Sequence, residues 1–200
     1  MKKLWGYFAI WTVIIVLCAS GCCWDWERDG NGRVRSQERS GDNFNAIVLE
    51  GVGDVYVHSS LVYKVVVTTD SNIQEFITTR VRNNTLHIDE KGHRGFNATK
   101  LTIDVYMPEL ERIRLSGAGN IKVLDGKTTD LDIILSGTGN IDTVNYEVKN
   151  VDVILSGCGD VKIWATNTLT GKLSGVGDIK YKGSPTVNVN SSGIGRIKSL

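Results

Sequence analysis

The chain has 200 residues, with 23 Lys+Arg against 22 Asp+Glu and three His. That length holds one ordinary domain with a sizeable core, and the balanced charge carries no polyelectrolyte signal, so no nucleic-acid partner is expected. With 22 Gly and 2 Pro the composition predicts a turn-rich fold and excludes a collagen or a Pro-rich linker.

The first 21 residues differ from the rest. Lys2 and Lys3 precede an apolar run that ends in Cys18-Ala19-Ser20-Gly21-Cys22. A basic start, a short apolar stretch and small residues before a cut describe an export signal over residues 1–21. The run is short for a bilayer span of about 20 residues, which weighs against a retained anchor. Ala19-Ser20-Gly21-Cys22 resembles the bacterial lipobox, whose cysteine is acylated and becomes the first residue. Cys22 is therefore the predicted lipidation site, and the membrane is a partner through its acyl chains. Each buried methylene stabilises attachment by about 0.8 kcal/mol. The implied location is the bacterial cell envelope, lipid-anchored at the outer membrane.

With Cys22 acylated, Cys23 and Cys158 are left, too few for a disulfide framework. His58, His87 and His93 lack a metal-ligand spacing, so neither a metal nor a cofactor is expected. Residues 22–43 are polar, charged and without periodicity, and read as a flexible tether. Asp25, Glu27 and Asp29 resemble the acidic sorting signals of some surface lipoproteins, and a merely solvated linker reads equally well.

Strands are predicted over 62–69 (VYKVVVTT), 84–90 (NTLHIDE) and 100–107 (KLTIDVYM), the last stopped by Pro108. Between the first two, Ser71-Asn72-Ile73-Gln74 has the form of a capping box. Ile73, Phe76 and Ile77 would share a helical face, predicting one short helix.

From Leu49 onward one motif recurs: LEGVGDV (49–55), LSGAGNI (115–121), LSGTGNI (135–141), LSGCGDV (155–161), LSGVGDI (173–179) and SSGIGRI (191–197). Aligned on their serines, the last five stand 20, 20, 18 and 18 residues apart, a period too short for a helix pair. An apolar β-branched residue closes each copy and a polar or charged one usually follows, as Ile121-Lys122 and Val161-Lys162 illustrate, which is strand alternation with one face buried. LDIIL (131–135) and VDVIL (151–155) are the matching strands upstream. The motif thus predicts a stacked corner, built by Ser116, Gly117, Gly119 and Asn120; Ser136, Gly137, Gly139 and Asn140; Ser156, Gly157, Gly159 and Asp160; Ser174, Gly175, Gly177 and Asp178. Glycine would serve positive φ or close approach, Asn and Asp would tolerate the left-handed region and bond to nearby backbone, and the serine hydroxyls would tie the bend.

The repeated SG-x-G-[ND]-[IV] motif, the start FNAIVLEGVGDVYV (44–57) and the end GSPTVNVNSSGIGRIKSL (183–200) resemble the bacterial "putative auto-transporter adhesin, head GIN domain" family over residues 44–200. The resemblance implies an exported, anchored protein folded as a single-stranded right-handed parallel β-helix, with adhesion as its inferred role. Glu50 for Ser and Arg196 for Asn/Asp depart from the pattern at the two ends.

Function is expected to be non-enzymatic: adhesion to a glycan or a protein. A phosphate-loop reading of Gly-x-Gly fails for want of a following Gly-Lys-Ser/Thr. A polysaccharide lyase or hydrolase is the rival, with Asp132 and Asp152 stacked as its carboxylates, and a structural scaffold is the third reading. The Asn/Asp column invites a calcium reading, outweighed by the corner role. Tyr106, Tyr146, Trp164 and Tyr181 could stack on sugars or pack against neighbouring coils, and Cys158 reads as a small packed side chain. Open solenoid ends expose strand edges and predict self-association into a homo-oligomer.

Overall fold

The structure is a computed structural model and describes residues 28–41, 43–92 and 95–200. The expected export signal, Cys22, Asp25, Glu27 and His93 lie outside the described residues. Among the described residues no helix is long and apolar enough to cross a membrane.

Seventeen strands follow in chain order. They are β1 (Arg28–Asp29), β2 (Val34–Arg39), β3 (Ala46–Leu49), β4 (Val52–Ser59), β5 (Lys64–Asp70), β6 (Ile77–Arg82), β7 (Thr85–Glu90), β8 (Phe96–Asn97) and β9 (Leu101–Met107). Next come β10 (Arg112–Leu115), β11 (Ala118–Val123), β12 (Lys127–Leu135), β13 (Thr138–Leu155), β14 (Val161–Leu173), β15 (Ile179–Lys182), β16 (Thr186–Ser191) and β17 (Ile197–Ser199). Fifteen of them form one sheet, while β1 and β8 pair separately.

The 20-residue period becomes a parallel register. Ile113 faces Ile133, which faces Val153; Ile121 faces Ile141, which faces Val161. Side chains alternate across each strand, so Ile113, Leu115, Ile133, Leu135, Val153 and Leu155 are buried while their neighbours face water. Each such Leu or Ile contributes about 1.5–3 kcal/mol by leaving water, and the ladder aligns them into one core. β13 is long because it serves two ladders, meeting β11 through 138–142 and β12 through 147–155.

The N-terminal half breaks this uniformity. β2 pairs β5, β5 pairs β9 and β6 pairs β7, all antiparallel. The expected single-stranded right-handed parallel β-helix with one short helix is therefore corrected: the fold is all-β, a nearly closed, barrel-like mixed sheet. The repeat starts at Leu49 and skips to Leu115, so the sixty-odd residues between obey no period and return by hairpin-like pairings. The predicted helix is also corrected. Gln74–Phe76 make one 3-10 turn capped by Ile73 without a side-chain bond. Ser71 hydroxyl accepts from Asn31 instead, at 2.9 Å, and the Gln74 amide donates to Arg35 O and Val67 O. Ile73 sits in the core, and from Ile77 the chain passes directly into β6.

Residues 28–39, expected to belong to a flexible tether, are docked. β2 adds to the sheet beside β5, and both its ends are pinned. Asp70, fully buried, accepts from Gly32 N at 2.8 Å and Thr99 N at 2.7 Å. Burial alone would raise its pKa, yet these N–H donors hold it below the usual carboxylate value. At the other end the Arg39 guanidinium donates to Ile77 O and to Gln74 O.

A polar groove along the stacked motifs

The recurring motif is a bend made by two amides converging on one oxygen. Ser136 N and Gly137 N both donate to Leu115 O at 2.9 Å, and Ser156 N and Gly157 N do the same to Leu135 O. The chain then runs so close to the preceding coil that a Cβ on Gly137 would lie 2.0 Å from Gly117 O. Gly139 differs: its φ is +132°, and a Cβ there would meet Gly119 O at 1.7 Å. The first glycine is required for space, the second for space and conformation. The pairs Gly117 and Gly119, Gly157 and Gly159, and Gly175 and Gly177 repeat both features. Among the expected serine ties, Ser116 Oγ donates to Leu49 O at 3.3 Å and Ser156 Oγ to Leu135 O at 3.5 Å; Ser136 and Ser174 bend through their backbone N–H.

The Asn/Asp column makes its bonds to backbone across coils and without a left-handed bend. Among the described residues the non-glycine positions with positive φ are Asn43, Asn83 and Asn84, so Asn120, Asn140, Asp160 and Asp178 do not supply a left-handed bend. Their side chains staple coil to coil. Asn120 Oδ1 accepts from Asn140 N at 3.2 Å and from Asn140 Nδ2 at 3.0 Å. Asn140 Oδ1 accepts from Asp160 N at 2.9 Å, Asp160 Oδ1 from Asp178 N at 2.9 Å, and Asp178 Oδ1 from Arg196 N at 3.0 Å. Asn120 Nδ2 donates to Asp54 Oδ1 at 2.8 Å, extending the column by one rung. Periodicity revealed the column; it could not reveal that each carbonyl or carboxylate oxygen reaches for the next coil's amide.

Beside this column runs a second, with Tyr56, Lys122, Asp142, Lys162, Lys180 and Lys198 in register. The two enclose a groove of about 380 Å³, lined by Asp54, Tyr56, Asn120, Lys122, Asn140 and Asp142 and continuing to Asp160 and Lys162. At its far end charges pair: Lys180 Nζ lies 2.6 Å from Asp160 Oδ2, and Lys198 Nζ 2.9 Å from Asp178 Oδ2. The Lys180 ammonium, helped by the Asp178 N–H, holds Asp160 below the usual carboxylate range, and Lys198 with the Arg196 N–H does the same for Asp178. Asp160 in turn raises Lys180. Carboxamides, carboxylates and ammonium groups on rigid strands can bind a polyhydroxylated or charged ligand along an extended path.

Tyr146 is buried, donating to Leu110 O and accepting from Leu110 N, so it packs. Tyr106 stacks on His58 with centroids 4.4 Å apart, Tyr181 packs against the core, and Trp164 carries the Lys182 ammonium 3.6 Å over its ring. Tyr56, which lines the groove, was missed; its alignment with Lys122 across 66 residues is the signal that marks it. Cys158 is free and exposed, correcting the packed reading. Asp132 is ion-paired with Arg112 at 2.9 Å, and Asp152 accepts from Thr170 Oγ1 at 3.3 Å.

The profile of the family described as "putative auto-transporter adhesin, head GIN domain" matches residues 43–125 and 112–185. Curated proteins gave no match. A solved structure described as a putative adhesin from Bacteroides fragilis NCTC 9343 is similar at 24% identity and a TM-score of 0.59, over 86% of this chain and 99% of that one. Another, described as a putative lipid binding protein from Parabacteroides distasonis ATCC 8503, is similar at 17% identity and a TM-score of 0.56, over 87% and 99%. Both show a shared fold. Since the two matched segments together span well over half of the chain, the protein belongs to the family described as putative auto-transporter adhesin, head GIN domain.

Proposed function

We propose that the chain is a non-enzymatic adhesin of the bacterial cell envelope, held by lipid at Cys22, which grips glycans along the groove of the stacked motifs. The observation that carries this reading is the groove's periodicity. Two parallel columns of outward polar side chains repeat at each rung, and Tyr56 closes one end with an aromatic surface. A polymer of repeating units is matched by a site of repeating units. Sugar hydroxyls both donate and accept; the Asn120 and Asn140 amides can donate to them, and the Asp142 carboxylate can accept. Membership of an adhesin family supports the same reading.

The full chain, purified in detergent, should bind a subset of an array of neutral and acidic glycans, and Tyr56→Ala should weaken that binding several-fold. Release of shorter products from a bound polysaccharide would refute the non-enzymatic reading. Anchoring is tested separately. Cys22→Ala should abolish labelling by palmitate in cells, and unchanged labelling would refute the lipid attachment.

A further inference from the structure

We propose that the groove selects linear acidic glycans in which a carboxylate-bearing sugar alternates with an uncharged one. This rests on the glycan-binding reading above. Lys122, Asp142 and Lys162 are register partners on β11, β13 and β14. Each follows a buried residue, Ile121, Ile141 or Val161, so all three project from the same outer face. Successive strands are about 4.8 Å apart, so the two ammonium groups recur at roughly 10 Å with a carboxylate midway. One rung is close to the advance of one pyranose unit along an extended chain. A glycan lying on this column would therefore meet positive, negative, positive, unit by unit.

The rest of the groove sharpens the choice. Asn120 Nδ2 and Asn140 Nδ2 each spend one proton within the ladder, on Asp54 Oδ1 and Asn120 Oδ1, which leaves each a second for a ligand oxygen. Lys180 and Lys198 are committed to Asp160 and Asp178. Lys122 and Lys162 have no ion-pair partner within 4 Å among the described residues. Asp142 is oriented by Val144 N, which donates to its Oδ1 at 3.1 Å, and its second oxygen can take a sugar hydroxyl. A carboxylate at that middle position would face Asp142 directly and be repelled. The pattern thus accepts alternating chains and rejects chains that are acidic at every unit.

The test titrates the full chain in detergent with three fluorescent oligosaccharides of equal length. One alternates glucuronate with N-acetylglucosamine, one is oligogalacturonate, and one is neutral oligo-N-acetylglucosamine. The alternating probe should bind at least about tenfold tighter than either other, with affinity falling as salt rises. Lys122→Gln and Lys162→Gln should each weaken it by about tenfold, whereas Lys172→Gln, outside the groove, should not. Asp142→Asn should narrow the preference over oligogalacturonate. Equal binding of the neutral or fully acidic probe, or lysine variants that bind like the parent, would overturn the inference while leaving glycan adhesion standing. Failure to bind any glycan on an array would remove both.

Discussion

Replacing Gly137 by alanine isolates the close approach of neighbouring coils from any demand on backbone angles. The added methyl carbon would lie 2.0 Å from Gly117 O and 2.6 Å from Ser116 C, both backbone atoms that cannot rotate away. The coils must separate locally by about an ångström, an overpacking cost of about 1–3 kcal/mol. Separation also weakens Thr138 N to Gly117 O and the paired donations to Leu115 O, three bonds whose net worth is about 1 kcal/mol each. The expected loss is about 3–5 kcal/mol, a fall in Tm of roughly 10 °C for a chain of this size. Three companions separate the causes. Gly139→Ala meets the same obstruction and adds strain at φ +132°, so it should lose about 1–3 kcal/mol more. Gly32→Ala has φ +71° but nothing within 4 Å, and should lose about 1 kcal/mol. Gly95→Ala has neither constraint and should stay within about 0.5 kcal/mol of the parent. Thermal unfolding followed by circular dichroism, with urea titration for the free energies, reads all four. A Gly137→Ala protein as stable as Gly95→Ala would refute the reasoning, because the coils would then tolerate a side chain between them.

Two further outcomes follow from the staples. Asn140→Gly deletes the acceptor for Asp160 N and the amide donated to Asn120, and should cost about 1–3 kcal/mol, with Asn140→Asp losing less because the acceptor survives; urea denaturation of both variants checks the order, and an unaffected glycine variant would show the staples to be idle. Asp160 and Asp178 are held below their unfolded pKa, so their contribution is present above the ordinary aspartate value and is lost as pH falls below about 4 towards the folded values; stability measured from pH 6 to 2 should drop less steeply in Asp160→Asn, and parallel curves would contradict the pairing.

The repeat could be read in the sequence because its physical cause is local and periodic. Ile121, Ile141 and Val161 must point inward together, so their spacing survives in the letters. The strands β5, β7 and β9 were legible from alternation for the same reason. What stayed hidden depends on partners remote in the chain. Nothing about VRSQER (34–39) shows that it will pair antiparallel with 65–70, since its own side chains are mostly exposed and the stabilising groups are Asp70 and backbone carbonyls elsewhere. The helix was misread because the segment that would have continued it, ITTRVR (77–82), is taken up as β6 in antiparallel pairing with β7. The groove was half legible: its two columns were visible, its aromatic end at Tyr56 was not.

If Cys22 carries lipid as proposed, the pinned strand β2 also sets how far the molecule can stand from a bilayer. β1 begins at Arg28, six residues beyond Cys22. A fully extended peptide advances about 3.5 Å per residue, so a chain acylated at Cys22 has a leash of roughly 20 Å. With Arg28–Asp29 paired to β8 and Val34–Arg39 locked into the large sheet, no slack can be drawn from this stretch without unpairing β1 and then β2. Such a body would patrol a thin layer just above the headgroups, meeting polymers that already lie along the cell surface and leaving distant ones untouched.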